Sequence, residues 1–121
     1  MEKILVVDDD YDIRKALEIC LCDLGYSPII AKDSKDVING HHYEVVDLVI
    51  TDYQMPWPDG LVLTEFFKKI NIPVIVMSAD WDIEGKVLSL SGSFLKKPFD
   101  GTELKELIEK LLKGGDKNEC C

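Results

Sequence analysis

Residues 45–60 read VVDLVITDYQMPWPDG. The apolar part, Val45-Val46 and then Leu48-Val49-Ile50, is short, nearly continuous and rich in β-branched side chains. That is the pattern of a strand buried on both faces, which belongs in a parallel sheet covered by helices. The run stops at Thr51-Asp52 and gives way to a loop bearing proline and glycine. In open parallel sheets, ligands sit in the crevice outside the carboxyl ends of the strands. Asp52 is therefore expected at a binding edge.

Three further runs end in the same manner. Ile4-Leu5-Val6-Val7 runs into Asp8-Asp9-Asp10, Pro73-Val74-Ile75-Val76-Met77 into Ser78, and Phe94-Leu95 into Lys96-Lys97-Pro98. Each polar residue alone reads as a solvated loop residue. Four apolar runs that each stop at a complementary polar group read as one site, carrying carboxylates, a hydroxyl and an ammonium.

The chain of 121 residues suits one domain with a single core. At 46% hydrophobic and 31% charged it has an ordinary globular composition. A net charge of -9 argues against nonspecific nucleic-acid binding and against an anionic membrane surface. Asp8, Asp9, Asp10 and Asp12 concentrate part of that charge. No apolar run approaches the ~20 residues that span a bilayer. With no secretory signal after Met1, the expected location is the cytoplasm, and the four cysteines fit that. The His41-His42 pair lacks partners at ligand spacing and is not read as a metal site. Cys120-Cys121 is read as tail.

Taken in order, the elements alternate. The expected strands are 3–7, 27–31, 46–51, 73–77 and 93–96. The expected helices are 11–24, 34–40, 60–70, 82–90 and 101–112. The first helix shows Ile13, Ala16, Leu17, Cys20, Leu21 and Leu24 at helical spacing, with Asp10 to cap it and Gly25 to end it. Helix three is expected to bury Val62 or Leu63, Phe66, Phe67 and Ile70. Helix four is weakened by Gly85. Helix five offers Leu104, Leu107, Ile108 and Leu111 behind an Asp100/Glu103 capping pair. Pro28 lacks an amide donor, so the second strand belongs at a sheet edge. The expected fold is α/β: a doubly wound, flavodoxin-like five-stranded parallel sheet of order 2-1-3-4-5, with right-handed crossovers. The domain would span 1–113 and a flexible tail 114–121. That strand order opens the crevice between strands one and three and brings Asp8 and Asp9 beside Asp52.

Crowded carboxylates repel; at ~4 Å in partly buried surroundings, two like charges cost on the order of 4 kcal/mol. A divalent cation offsets this, and an all-oxygen, water-accessible site suits Mg²⁺, or Mn²⁺ in its place. Metal beside a carboxylate suggests phosphoryl transfer. Asp52 would be the nucleophile. Asp8 and Asp9 would hold the metal, Lys97 would supply a second cation, and Ser78 a hydrogen bond.

The set VVDDD at 6–10, VITDYQMPWPDG at 49–60, VMSAD at 76–80 and FLKKPF at 94–99 resembles the receiver domain of two-component response regulators, over about 3–112. The resemblance implies that Asp52 accepts phosphate from a sensor histidine kinase or a histidine phosphotransfer protein. It implies direct metal ligation by Asp9, Asp52 and the backbone carbonyl of Gln54, with Asp8 acting through water. It places Ser78 and Phe94 at the family's switch pair, Lys97 at its lysine, and a cis bond before Pro98. It further implies a signalling protein that phosphorylates and dephosphorylates itself rather than a turnover enzyme. Its surface of helix four, strand five and helix five would change for a downstream protein target; with no second domain read in the sequence, the expected output is protein contact or phosphate relay, without direct DNA binding. Phe94 where tyrosine is common, Trp57-Pro58, and a Ser78–Lys97 span short by about one helical turn depart from the family. The rivals are a pseudo-receiver that only binds partners, a flavodoxin-like cofactor binder, and a haloacid-dehalogenase-like phosphatase using Asp8.

Overall fold

The computed structural model describes residues 2–40, 46–55 and 58–120. His41, His42 and Trp57 lie outside them. Strands β1 (Lys3–Val7), β2 (Ser27–Ala31), β3 (Leu48–Asp52), β4 (Val74–Ser78) and β5 (Ser93–Lys96) alternate with α1 (Tyr11–Asp23), α2 (Ser34–Gly40), α3 (Gly60–Lys69), α4 (Glu84–Ser89) and α5 (Gly101–Cys120). A 3₁₀ turn, Trp81–Ile83, precedes α4. All strand pairs are parallel, in the order β2-β1-β3-β4-β5. This is the expected α/β fold, and Pro28 does sit on the edge strand.

Strand periodicity divides the interior in two. Leu5, Val7, Val49, Val74 and Val76 face Leu63, Phe67 and Val87 from α3 and α4. Ile4, Val6, Leu48, Ile50, Ile75 and Met77 face Leu17, Leu21, Leu104 and Ile108 from α1 and α5. Both faces are covered, which is why the strands read as continuous apolar runs rather than alternating ones. Register then sets the edge. Val7 pairs with Thr51, Asp52 with Met77, and Ser78 with Lys96. One step beyond Val7 and Thr51, Asp8 and Asp52 come level across the β1–β3 pair.

Local chemistry fixes the helix ends. Asp10 accepts from the Asp12 and Ile13 amides, and Asp59 from those of Leu61 and Val62. Asp100 and Glu103 exchange hydrogen bonds of 3.2 and 2.8 Å. Gly25 follows α1 at φ +92°, a conformation that favours glycine. Several details differ from expectation. Ile70 is 43% exposed, because it is the C-cap of α3 and the chain turns away at Asn71. Ala16 is exposed at the rim between α1 and α5, leaving Leu17 and Leu21 as the buried stripe of α1. The helix expected over 82–90 is a 3₁₀ turn and then six residues of α-helix, since Asp80 captures the Asp82 amide and tightens the entry. The last helix continues past 112 to Cys120; Gly114 and Gly115 lower helix propensity without breaking the hydrogen-bond ladder. Among the described residues, no helix is long and apolar enough to cross a membrane.

Candidate phosphoryl-acceptor site

The turn leaving β1 presents two carboxylates. Asp8 is fully buried, and its Oδ1 accepts from the Asp10 amide at 2.8 Å. Its Oδ2 has no hydrogen-bond partner among the described residues. Asp9, next in the chain, is exposed. Asp52, at the end of β3, is 7% exposed. One carboxylate oxygen from each of the three lies within 4.8 Å of the others.

A cation enters from the opposite side. Lys97 Nζ stands 3.0 Å from Asp52 Oδ1 and 4.0 Å from Asp8 Oδ2. The first contact is a charge-assisted hydrogen bond; the second is too long to be one. The Lys97 backbone is fixed by its amide donating to the Ser78 carbonyl at 2.8 Å, and the peptide to Pro98 is cis. Ser78, buried at the end of β4, accepts from the Asp80 amide through Oγ at 3.0 Å. Accepting does not use the hydroxyl's own proton, which stays available for donation. Gln54 lies exposed in the turn just after β3. Phe94 sits half-buried on β5, packed against the α3/α4 face of the core.

The electrostatics are unbalanced around Asp8. Burial, foremost, pushes its carboxyl up to about 6 from 3.8, with the charges of Asp52 and Asp9 adding to the rise. The Asp10 amide and the Lys97 ammonium oppose it without cancelling it. A buried carboxylate oxygen with no hydrogen bond among the described residues and only a 4.0 Å ammonium contact, facing two further carboxylates, is an arrangement that a hard divalent cation completes. The all-oxygen donor set fits Mg²⁺, and among the described residues no cysteine or histidine belongs to the cluster.

Sequence reasoning gathered Asp8, Asp9, Asp52, Ser78 and Lys97, and the fold brings all five to this edge. It missed three residues. Arg14, the chain's only arginine, donates through Nη1 to the Asp8 carbonyl at 2.8 Å and so braces the turn that carries the carboxylates. Its place one turn into α1 was the available signal. Gly60 packs on Asp52 itself. A Cβ there would stand 2.8 Å from the Asp52 carbonyl oxygen and 3.0 Å from Tyr53 Cα, so any side chain must push the Asp52 backbone aside. Ser34 is fully buried and donates from Oγ to the Pro58 carbonyl at 2.6 Å, tying the loop after β3 to the start of α2.

The sequence pattern of the response regulator receiver domain matches residues 4–109. A probable transcriptional regulator, ycf27 of Guillardia theta, is 36% identical over 96% of this chain and 47% of its own length. YbdJ of Bacillus subtilis, an uncharacterized transcriptional regulatory protein, is 36% identical over 91% of the chain and 50% of its own. The chain thus spans about half the length of the curated relatives it matches. Among solved structures, the response regulator TrrA of Thermotoga maritima, in complex with Mg²⁺ and BeF, superposes with a TM-score of 0.83 at 31% identity, covering 93% of this chain and all of that one. A receiver domain protein of Methanospirillum hungatei superposes at 0.87 with 24% identity, covering 98% of each chain, a likeness of fold alone.

Proposed function

The chain belongs to the response regulator receiver family, a family of two-component signalling, and from that premise we propose that Asp52 is its phosphoryl acceptor. The observation that carries the proposal is Lys97 Nζ at 3.0 Å from Asp52 Oδ1, inside a cluster of three carboxylates at the carboxyl edge of the sheet. The donor is a phosphohistidine on a sensor kinase or phosphotransfer protein. An Asp52 oxygen attacks phosphorus, the bond from phosphorus to the donor imidazole breaks, and the imidazole leaves with the electron pair and takes up a proton. The product is a mixed anhydride on Asp52. Attack of water on phosphorus later restores the carboxylate, so the protein resets itself and is not a turnover enzyme.

Asp8, Asp9 and Asp52, with the Gln54 carbonyl, would hold Mg²⁺, and Mn²⁺ has the same ligand preference. Bound there, the ion would neutralise phosphoryl oxygens as charge moves between donor and acceptor. Lys97 exchanges its contact with the carboxylate for one with a phosphoryl oxygen, a compact cation where charge gathers. Ser78 donates its hydroxyl proton to another. Movement of Ser78 toward the phosphoryl group opens space beside β5, Phe94 turns to fill it, and the α4–β5–α5 surface changes for a protein target.

The curated relatives are named transcriptional regulators and are about twice this length. The expectation of an output without DNA therefore narrows: the residues described here touch protein rather than nucleic acid, as a net charge of -9 favours. The reaction is placed in the cytoplasm. Incubation with acetyl phosphate and Mg²⁺ tests the reading. One phosphoryl increment, labile to hydroxylamine, is expected in the intact mass of the wild type, and none with EDTA. Equal uptake in EDTA would overturn the metal's part.

A further inference from the structure

Lys96 and Lys97 follow one another at the end of β5. While Lys97 points at Asp52, Lys96 is half-buried with its Nζ over the Trp81 ring, 4.8 Å from the centroid. The same ammonium donates to the Lys97 carbonyl at 3.2 Å. Trp81, on the 3₁₀ turn after β4, is 61% exposed. An indole so open is not held there by burial. It packs instead against Phe94, with ring centroids 6.0 Å apart and planes at 44°. Trp81 thus touches two β5 side chains, one at the switch position and one hydrogen-bonded to the residue that contacts the acceptor.

The geometry points to Trp81 and Lys96 as positioning residues for Lys97. A lysine stem is long and flexible, and one whose ammonium is not anchored samples many rotamers. The indole face attracts the Lys96 ammonium and restricts it. The restricted ammonium then makes a charge-assisted hydrogen bond to the Lys97 carbonyl. At its other end, the Lys97 amide is held by the Ser78 carbonyl at 2.8 Å. With both flanking peptides engaged, the freedom of Lys97 is confined to its side chain, which reaches Asp52 at 3.0 Å. Trp81 carries this arrangement to the surface, so a partner that covers or displaces the indole alters the cation beside the acceptor. The inference rests on Asp52 being the acceptor.

The test compares Trp81→Ala, Lys96→Met and their double variant with Trp81→Phe and Lys96→Arg, which keep a ring and a cation. Two readouts are taken: the rate of phosphoryl uptake from acetyl phosphate with Mg²⁺, and hydrogen exchange at the Lys97 amide. Trp81→Ala and Lys96→Met are expected to slow uptake about fivefold each. The double variant should be no slower than either, because both break the same chain of contacts. The Lys97 amide should exchange several-fold faster while amides of α1 keep the wild-type rate. The conservative variants should restore most of both. An unchanged Lys97 amide in Trp81→Ala, or losses that multiply in the double variant, would overturn the proposal. If the wild type takes up no phosphoryl group, the acceptor assignment falls, and the exchange measurement alone still decides whether Trp81 positions Lys97.

Discussion

Asp8 holds a carboxylate where burial penalises its charge, and the penalty has a sign that can be measured. Its folded pKa lies at about 6, against 3.8 ordinarily. Between those values the native state binds a proton that the unfolded state has released. Stability of the metal-free protein is therefore lost through this group as pH rises from about 4 to about 6, by roughly 2–3 kcal/mol over the full window. Asn at this position carries no such proton. Urea unfolding in EDTA across that range should show Asp8→Asn gaining on the wild type as pH rises. A difference that does not vary with pH would mean that Asp8 is solvated in the folded protein. Oδ2 makes no hydrogen bond among the described residues and has the Lys97 ammonium only at 4.0 Å, so its charge is left for a divalent cation to balance under the proposed function.

At the scale of elements, the segment between Ser78 and Phe94 separates this chain from a regular alternation. It contains a three-residue 3₁₀ turn and a six-residue helix. Ile83 and Val87 are its buried anchors, while Leu88 is 56% exposed. Ser91 takes a positive φ of 66° to end it. Few buried side chains and short hydrogen-bond ladders make an element that opens locally at low cost. Amides of 81–92 should exchange faster than those of α1 and of α5 up to 112, and phosphorylation of the protein should slow or redistribute that exchange. Protection equal to α1 that phosphorylation does not alter would remove the segment from the switch. Sequence reading anticipated the weak helix from Gly85, yet not the 3₁₀ entry, which follows from an Asp80 side chain competing for the Asp82 amide. Ile70 illustrates the same limit. Its apolar character fits helical spacing, but the chain reverses at Asn71 and leaves it outside.

For the whole molecule, strand order was legible because the signals agreed: doubly buried apolar runs, a proline marking an edge strand, and helices between every pair. The carboxylates, Ser78 and Lys97 were legible for the same reason, since parallel strands place their ends together. Gly60 and Trp81 were not, because their roles lie in close backbone packing and surface stacking that no periodicity encodes, and Arg14 was marked only by its place one turn into α1. The carboxylate cluster joins β1 to β3, two inner strands of the sheet, so a cation held there should act on the entire fold. A ligand that binds only the native state adds about 2.7 kcal/mol at 100 times its Kd. Thermal unfolding should shift upward with Mg²⁺, and the shift should shrink in Asp9→Asn, whose exposed carboxylate belongs to the cluster. A melting temperature indifferent to millimolar Mg²⁺ would count against the site.

Under the proposed function one carboxylate, Asp52, carries the phosphoryl group. Borohydride reduction of the phosphorylated protein, followed by tandem mass spectrometry, tests it most directly, because an acyl phosphate is reduced to an alcohol at the residue that bore it. Homoserine is expected at position 52 of the wild type, and none at position 8 or 9. In Asp52→Asn, homoserine is expected nowhere in the chain. Homoserine at Asp8 or Asp9 of the wild type, or undiminished phosphoryl uptake by Asp52→Asn, would contradict it.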